Sequence, residues 1–159
     1  MVAAMKAVLA AIISVIIIYL LTQLAFFFPF YMTVVVETFN LSNVAANDNY
    51  VKETYYNASL DSLRDRPVFR KDPDSVRIEV FNSDGRNAVG DDDEFSYFND
   101  SIDPVLKPYR QRGEPVRVRV SAMYPVEIKL WGQPVPLRSI PVTFEITTIG
   151  LRYYKDLMI

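Results

Sequence analysis

The segment "FFFPFYMTVVVE", residues 26–37, closes an apolar run that starts after Lys6 and contains thirty uncharged residues. In an α-helix thirty residues extend about 45 Å, whereas the hydrocarbon core of a bilayer is about 30 Å thick. The quoted segment therefore carries bulky aromatic and β-branched residues beyond the length that a simple membrane anchor needs. The run predicts a hydrophobic helix over residues 5–36, in which Pro29 is expected to produce a kink or a loosened turn.

The charged residues are distributed unevenly along the chain. Of the 17 Lys and Arg residues only Lys6 precedes residue 37, and none of the 19 Asp and Glu residues does. The net charge of −2 provides no basic field, so we expect no nucleic-acid partner. Histidine and cysteine are both absent, which removes disulfides, Cys/His zinc sites and histidine-based acid–base catalysis.

The amino-terminal order, a lysine followed by an apolar run, is shared by secretory signals and by retained membrane helices. Here the run is about twice the length of a typical signal core, and it ends in bulky residues rather than in a small-x-small pattern. We therefore expect a retained helix. The lysine before the run and the acids after it favour a cytoplasmic N-terminus with the following domain outside.

An apolar spacing of three or four residues continues beyond Glu37 and predicts an amphipathic helix lying on a sheet. The spacing runs through Val36, Phe39, Asn43, Ala46 and Tyr50, with Leu60 and Leu63 further on. One helix from about residue 4 to about residue 64 is expected, because Pro67 disfavours helix at the residue before it. The chain divides accordingly into a hydrophobic helix (1–36), its amphipathic continuation (37–66) and a β domain (67–159).

Three segments of the β domain alternate apolar and polar residues, which is typical of half-buried antiparallel strands. They are "VRIEVF" (76–81), "VRVRVSAMYPVEIKL" (116–130) and "IPVTFEITTI" (140–149), with "WGQPVPLRS" (131–139) as a turn and "LRYYKDL" (151–157) as an extension of the last strand. Pro125 restricts its strand to an edge, bend or bulge. The predicted fold class is α+β, a long N-terminal hydrophobic helix packed on a small antiparallel sheet of three or four strands.

This layout resembles the pilins and pseudopilins, most nearly the small TadE-like envelope proteins of bacterial pilus or conjugation loci. The resemblance is carried by the uncharged helix 7–36, by the continuation around Ala45, Ala46 and Tyr50, and by the closing "IPVTFEITTIGLRYYKD". Type IV pilins usually carry a processed glycine junction and an acid near the mature start, whereas position 5 here is Met5.

The resemblance implies a structural subunit of an extracellular pilus-like filament, whose partner is the chain itself in a helical homo-oligomer. The subunit would reside in the membrane before assembly and could meet envelope assembly proteins there. The alternatives are a single-pass membrane component of a secretion, conjugation or pilus-assembly apparatus, and a tethered binding module. The proposed assembly interface is the helix face formed by Ala3, Ala7, Ala10, Ile13, Ile17, Leu20, Leu24, Phe28 and Val35.

Only one segment resembles a metal site, the acidic "GDDDE" at residues 90–94. The oxygen ligands for Ca²⁺ would come from this segment and from the nearby Asp84, that is, from Asp84, Asp91, Asp92, Asp93 and Glu94. The EF-hand spacing is absent, so a solvated acidic loop is the favoured interpretation and no metal or cofactor is expected. Serine and threonine have no histidine base and no glycine-rich phosphate loop occurs, so we expect no enzyme. The sequons at Asn40, Asn57 and Asn99 matter only in a host that glycosylates asparagine.

Overall fold

A computed structural model describes residues 2–98, 102–130 and 133–157. The first helix, α1, spans Val2–Asp48, so its 47 residues extend about 70 Å. It confirms the helix predicted over residues 5–36 and continues through Pro29, which lies inside it. The amino-terminal part of α1 projects from the rest of the chain, and its carboxyl-terminal part packs on the sheet.

The prediction of one helix reaching residue 64 is wrong, because α1 ends at Asp48. Asn49 adopts a φ of 60°, a left-handed conformation that asparagine tolerates better than most residues and that ends helices. A two-residue strand, β1 (Val51–Lys52), and a second helix, α2 (Glu53–Asp65), follow. The α2 helix ends where the proline rule places its end, with an extended backbone at the residue before Pro67.

The sheet has three antiparallel strands in the order β2–β4–β5, as the alternating patterns predict. These strands are β2 (Arg77–Phe81), β4 (Pro115–Leu130) and β5 (Gln133–Ile149). A separate short strand, β3 (Val89–Gly90), pairs in parallel with β1. The structure therefore confirms the α+β class and the three-stranded sheet.

Two details of the strand prediction need correction. Most of the predicted turn at 131–139 is strand, because β5 begins at Gln133; residues 131–132 lie outside the described residues. Residues 151–157 do not extend β5 but form an irregular segment that ends in a 3-10 turn at Lys155–Leu157. Pro125 occupies an edge as predicted, since β2 reaches only Ser121 and the register of β4 shifts between Val126 and Glu127.

The core lies between the sheet and one face of α1. From β4 it receives Val116, Val118 and Val120, all fully buried. The alternate residues of β4 face solvent, where Arg119 bridges Glu79 and Glu145 at 3.3 and 2.7 Å. The faces of β4 are therefore those that the alternation predicts.

The predicted sheet-facing stripe is wrong at Val36, Phe39 and Asn43, whereas its later members are half-buried or buried, namely Ala46, Tyr50, Leu60 and Leu63. Val36 and Phe39 are 45% and 57% exposed, and Asn43 is also exposed. The buried face is instead formed by Phe30, Val34, Glu37, Thr38, Leu41, Ser42 and Ala45.

Hydrogen bonding explains why polar residues occupy this buried face. The hydroxyl of Thr38 donates to the carbonyl of Val34 at 2.7 Å, and that of Ser42 donates to the carbonyl of Phe39 at 2.8 Å. A buried hydroxyl that is satisfied by its own helix costs little. The buried face consequently has a more polar sequence than the exposed one, which misleads a prediction based on hydrophobic spacing.

The assignment of the sheet faces predicts a large loss of stability for one substitution and almost none for its neighbour. Val118→Asp places a carboxylate in the core and is expected to lower the free energy of unfolding by at least about 3 kcal/mol. Arg117→Ser, which removes only an exposed ion pair with Glu145, is expected to change it by less than about 0.5 kcal/mol. Urea unfolding of the detergent-solubilised chain measures both, and equal tolerance of the two variants would contradict the face assignment.

Candidate assembly surface

The amino-terminal part of α1 is an exposed apolar helix. Its most apolar 18-residue window has a mean hydropathy of 2.5, and none of that window is buried. Within the described residues, α1 is the one helix long and apolar enough to cross a membrane, judged by length and composition. The chain thus has a helix that could anchor it in a membrane.

The structure leaves the predicted assembly face accessible along most of its length. Eight of its nine residues are exposed, namely Ala3, Ala7, Ala10, Ile13, Ile17, Leu20, Leu24 and Phe28. The ninth, Val35, is half-buried beside the domain. Accessibility is what an assembly face requires, and contact with another copy stays a prediction.

Aromatic side chains pack between α1 and the domain near Phe30, and we call this group the aromatic collar. It consists of Phe27, Phe30, Tyr31, Phe69, Tyr124 and Phe144. Phe30 lies with its ring centroid 4.7 Å from that of Phe69 and 5.1 Å from that of Tyr124. The hydroxyl of Tyr124 also donates to the backbone carbonyl of Gln23 at 3.3 Å. Aromatic pairs of this geometry add stability beyond that of the apolar area they bury. The collar therefore fixes the position of the domain along α1.

On the side of α1 away from the sheet, exposed residues recur every three or four positions. This outward stripe comprises Phe28, Met32, Val36, Phe39, Asn43 and Asn47. Its four apolar members are between 38% and 62% exposed. Below Phe28 the same spacing continues through Ala25, Leu21, Ile18, Ser14, Ala10, Ala7 and Ala3. One face of the helix is therefore uncovered from its start almost to its end.

The carboxyl-terminal end of α1 is fixed by the side-chain amide of Asn49. Its nitrogen donates to the carbonyls of Arg110 and Arg152 at 2.8 and 2.7 Å, and its oxygen accepts from the Arg152 backbone N–H at 2.9 Å. Asn49 is 1% exposed, so these bonds form away from water, where an unpaired amide would be costly. One side chain thus joins the helix end to two distant segments.

The segment after β5 completes the attachment of the helix end. Together with Asn49 its residues form what we call the helix socket, which consists of Asn49, Gly150, Leu151, Arg152 and Tyr154. The Leu151 backbone N–H donates to the Ala46 carbonyl at 2.8 Å, and the Tyr154 hydroxyl donates to the Asp48 carbonyl at 2.7 Å. These donors satisfy carbonyls that a helix leaves without partners at its end. Gly150 permits the close approach, because a Cβ there would lie 2.6 Å from the Asn49 side chain.

A buried polar cluster lies next to the helix socket and consists of Lys107, Tyr109, Tyr154 and Asp156. The rings of Tyr109 and Tyr154 stack at a centroid distance of 3.9 Å. The Tyr109 hydroxyl and the Lys107 ammonium group both donate to the same Asp156 carboxylate oxygen at 2.7 Å. Burial raises the pKa of both tyrosines. Burial also acts to raise the pKa of Asp156, but the bonds from Lys107 and Tyr109 outweigh it and leave that pKa below its ordinary value.

The residues considered for calcium do not come together. Asp84 pairs with Arg110 at 2.7 Å, Glu94 pairs with Arg152, and Asp92 accepts from Thr54. The carboxylates of Asp91 and Asp93 accept backbone N–H groups two residues on. Within the described residues no group of three or more acidic side chains could hold a metal ion. The neighbouring sequon residue Asn99 lies outside the described residues.

Comparison of the chain with protein-family models, with curated proteins and with solved structures found no match.

The helix socket predicts coupling between Asn49 and Gly150. Asn49→Gly removes three hydrogen bonds but suits the positive φ, and we expect a loss of about 1–3 kcal/mol in the free energy of unfolding. Gly150→Ala forces a Cβ into the Asn49 amide and is expected to cost a similar amount. The double variant should lose at least about 1 kcal/mol less than the sum of the single losses, because the clashing amide is gone. Strict additivity in urea unfolding would contradict the socket.

The polar cluster predicts a pH dependence through Asp156. A depressed folded-state pKa contributes stability that is present above the unfolded value of about 3.9 and is lost as the pH falls through the folded value. Asp156→Asn leaves Lys107 buried without its counter-ion, so we expect a loss of about 2–3 kcal/mol at pH 7. The decline of stability below about pH 4 should become shallower.

Asp61→Asn is the matched control for this prediction, since Asp61 is exposed on α2. It should leave the unfolding free energy between pH 3 and pH 7 close to that of the unaltered chain. An Asp156→Asn profile parallel to that of the control would show that the cluster does not titrate as described.

Proposed function

We propose that this chain is a structural subunit of an extracellular pilus-like filament, assembled by packing α1 helices from many copies. One observation carries the proposal, the length of the exposed apolar surface on α1. From Val2 to Phe39 the helix extends about 57 Å, nearly twice the thickness of the hydrocarbon core. A filament core has no such thickness limit, so helices of neighbouring copies can cover the whole length.

The domain does not cover the part of this apolar surface that extends beyond the hydrocarbon core. It contacts the opposite face of α1 through residues such as Phe30, Val34 and Leu41. If lipid surrounds the first twenty or so residues, then Met32, Val36 and Phe39 lie above the hydrocarbon and remain exposed. Apolar surface of this kind usually marks an interaction site. The layout of helix and antiparallel sheet, which resembles that of pilins, supports the same proposal.

A second candidate function is favoured by the exposed aromatic residues Phe26 and Phe28, which are 67% and 62% exposed. Aromatic residues that face outward form belts at the membrane–water interface of permanent anchors. In this alternative the helix stays in lipid, and the domain binds other components of an envelope apparatus outside. In both cases the N-terminus lies in the cytoplasm and the domain outside the membrane.

The substitution Ala10→Leu separates the two functions. It makes the helix more apolar, so membrane insertion should be unaffected, but it adds bulk on a face where close helix packing is expected. We expect normal membrane levels with few or no fibres, as measured by immunoblotting and by electron microscopy of sheared cell-surface material. Ile16→Leu, which conserves volume, should leave both measurements unchanged. Unaltered fibres in Ala10→Leu, or an absence of fibres from the unsubstituted chain, would contradict the filament.

A further inference from the structure

The upper part of the outward stripe changes character along its length. Met32, Val36 and Phe39 are apolar, whereas the next two members of the stripe, Asn43 and Asn47, are amides. All five residues are exposed. The stripe therefore consists of an apolar zone directly above the level of the collar and an amide zone near the end of α1.

The amide zone has unused hydrogen-bonding capacity. Within the described residues the side chains of Asn43 and Asn47 make no hydrogen bond, although the buried Asn49 nearby makes three. An amide is both donor and acceptor, so two identical amides satisfy each other. The amide zone is thus complementary to a second copy of itself.

Electrostatic repulsion does not oppose contact between two such stripes. Glu37 is 7% exposed, and its carboxylate lies 3.9 Å from the guanidinium group of Arg66 in its own chain. At the top of α1 the carboxylate of Asp48 is paired with Arg152 at 3.2 Å and lies 4.0 Å from Lys52. The outward stripe between Phe28 and Asn47 therefore carries no charge.

A membrane gives all copies the same orientation and depth. In two parallel copies the two apolar zones then lie opposite each other at the same height, and so do the two amide zones. A stagger of a few residues would place amides against Phe39 or Val36 and leave them unsatisfied. In coiled coils a single buried asparagine fixes the register in this way. The order of the two zones consequently favours one arrangement, parallel and unstaggered.

We propose that two membrane-anchored copies pair, parallel and in register, through the upper outward stripe, with Asn43 of one copy against Asn43 of its partner. The contact is isologous, so the same residues serve both copies. It forms above the hydrocarbon core, where lipid cannot cover Met32, Val36 and Phe39. The pairing precedes any fibre and does not require one.

Disulfide trapping tests the pairing without background, because the chain contains no cysteine. Val36→Cys and Asn43→Cys each place a thiol on the outward stripe, and Ser62→Cys places one at an exposed position on α2. After mild oxidation of native membranes, we expect disulfide-linked homodimers from both stripe variants and at least fivefold less from Ser62→Cys. A disulfide requires Cα atoms about 4.4–6.8 Å apart, so identical positions must face each other.

Coexpression of Val36→Cys with Asn43→Cys tests the register. In-register pairing gives mainly the two homodimers, which differ from the mixed dimer if one chain carries a small tag. A dominant mixed dimer would overturn the unstaggered arrangement. Equal dimer yields from the stripe and from Ser62→Cys, or products whose mass is not twice that of this 18.2 kDa chain, would overturn the pairing itself.

The role of the amide is tested by Asn43→Asp in the Val36→Cys chain. Two facing carboxylates repel, so we expect a dimer yield reduced at least threefold. Asn57→Asp, a matched change at an exposed position on α2, should leave the yield unchanged. An unaltered yield in Asn43→Asp would remove the amide from the contact. Fibres are scored separately, so dimers without fibres retain the pairing and contradict only the filament.

Discussion

The side-chain amide of Asn49 is the contact on which the rest of the structure depends. It ends α1, allows the chain to turn at a positive φ, and joins the helix to the loop at Arg110 and to the segment after β5. The two joined positions are 61 and 103 residues away along the chain. Without these bonds the end of the helix would be held only by the bonds from Leu151 and Tyr154 and by its buried side chains.

The domain covers one face of the upper helix and leaves the other face free. This division follows from the distribution of side chains, because Phe30, Val34 and Leu41 point to the sheet while Val36 and Phe39 point away. A helix that was only a tether would need no apolar residues on the free side above the bilayer. The proposed contact between copies rests on this free side.

The sheet could be predicted from the sequence, and the way the helix lies on it could not. Strict alternation along β4 determines which residues are buried, since the side-chain period of a strand is two and only two faces exist. For α1 both faces carry apolar residues at the same spacing, and Thr38 and Ser42 on the buried face satisfy their hydroxyls within the helix. Hydrophobic spacing alone then favours the wrong face.

The helix socket cannot be predicted from the sequence, for a related reason. The sequence pattern continued past residue 49, and nothing local distinguishes Asn49 from the exposed asparagines around it. Its role depends on Gly150 and Arg152, which become neighbours only in the fold. A glycine after a long strand, followed by two tyrosines, was the one available signal.

The two attachments of the domain to α1 have a mechanical consequence. The collar holds the helix near Phe30 and the socket holds it at Asn49, positions separated by about 30 Å of helix axis. A single attachment would let the helix rotate about it, whereas two attachments at this distance keep the helix and the sheet rigid relative to each other. A sideways load on the domain is then transmitted to the membrane-length part of α1 as torque rather than absorbed by rotation at a joint.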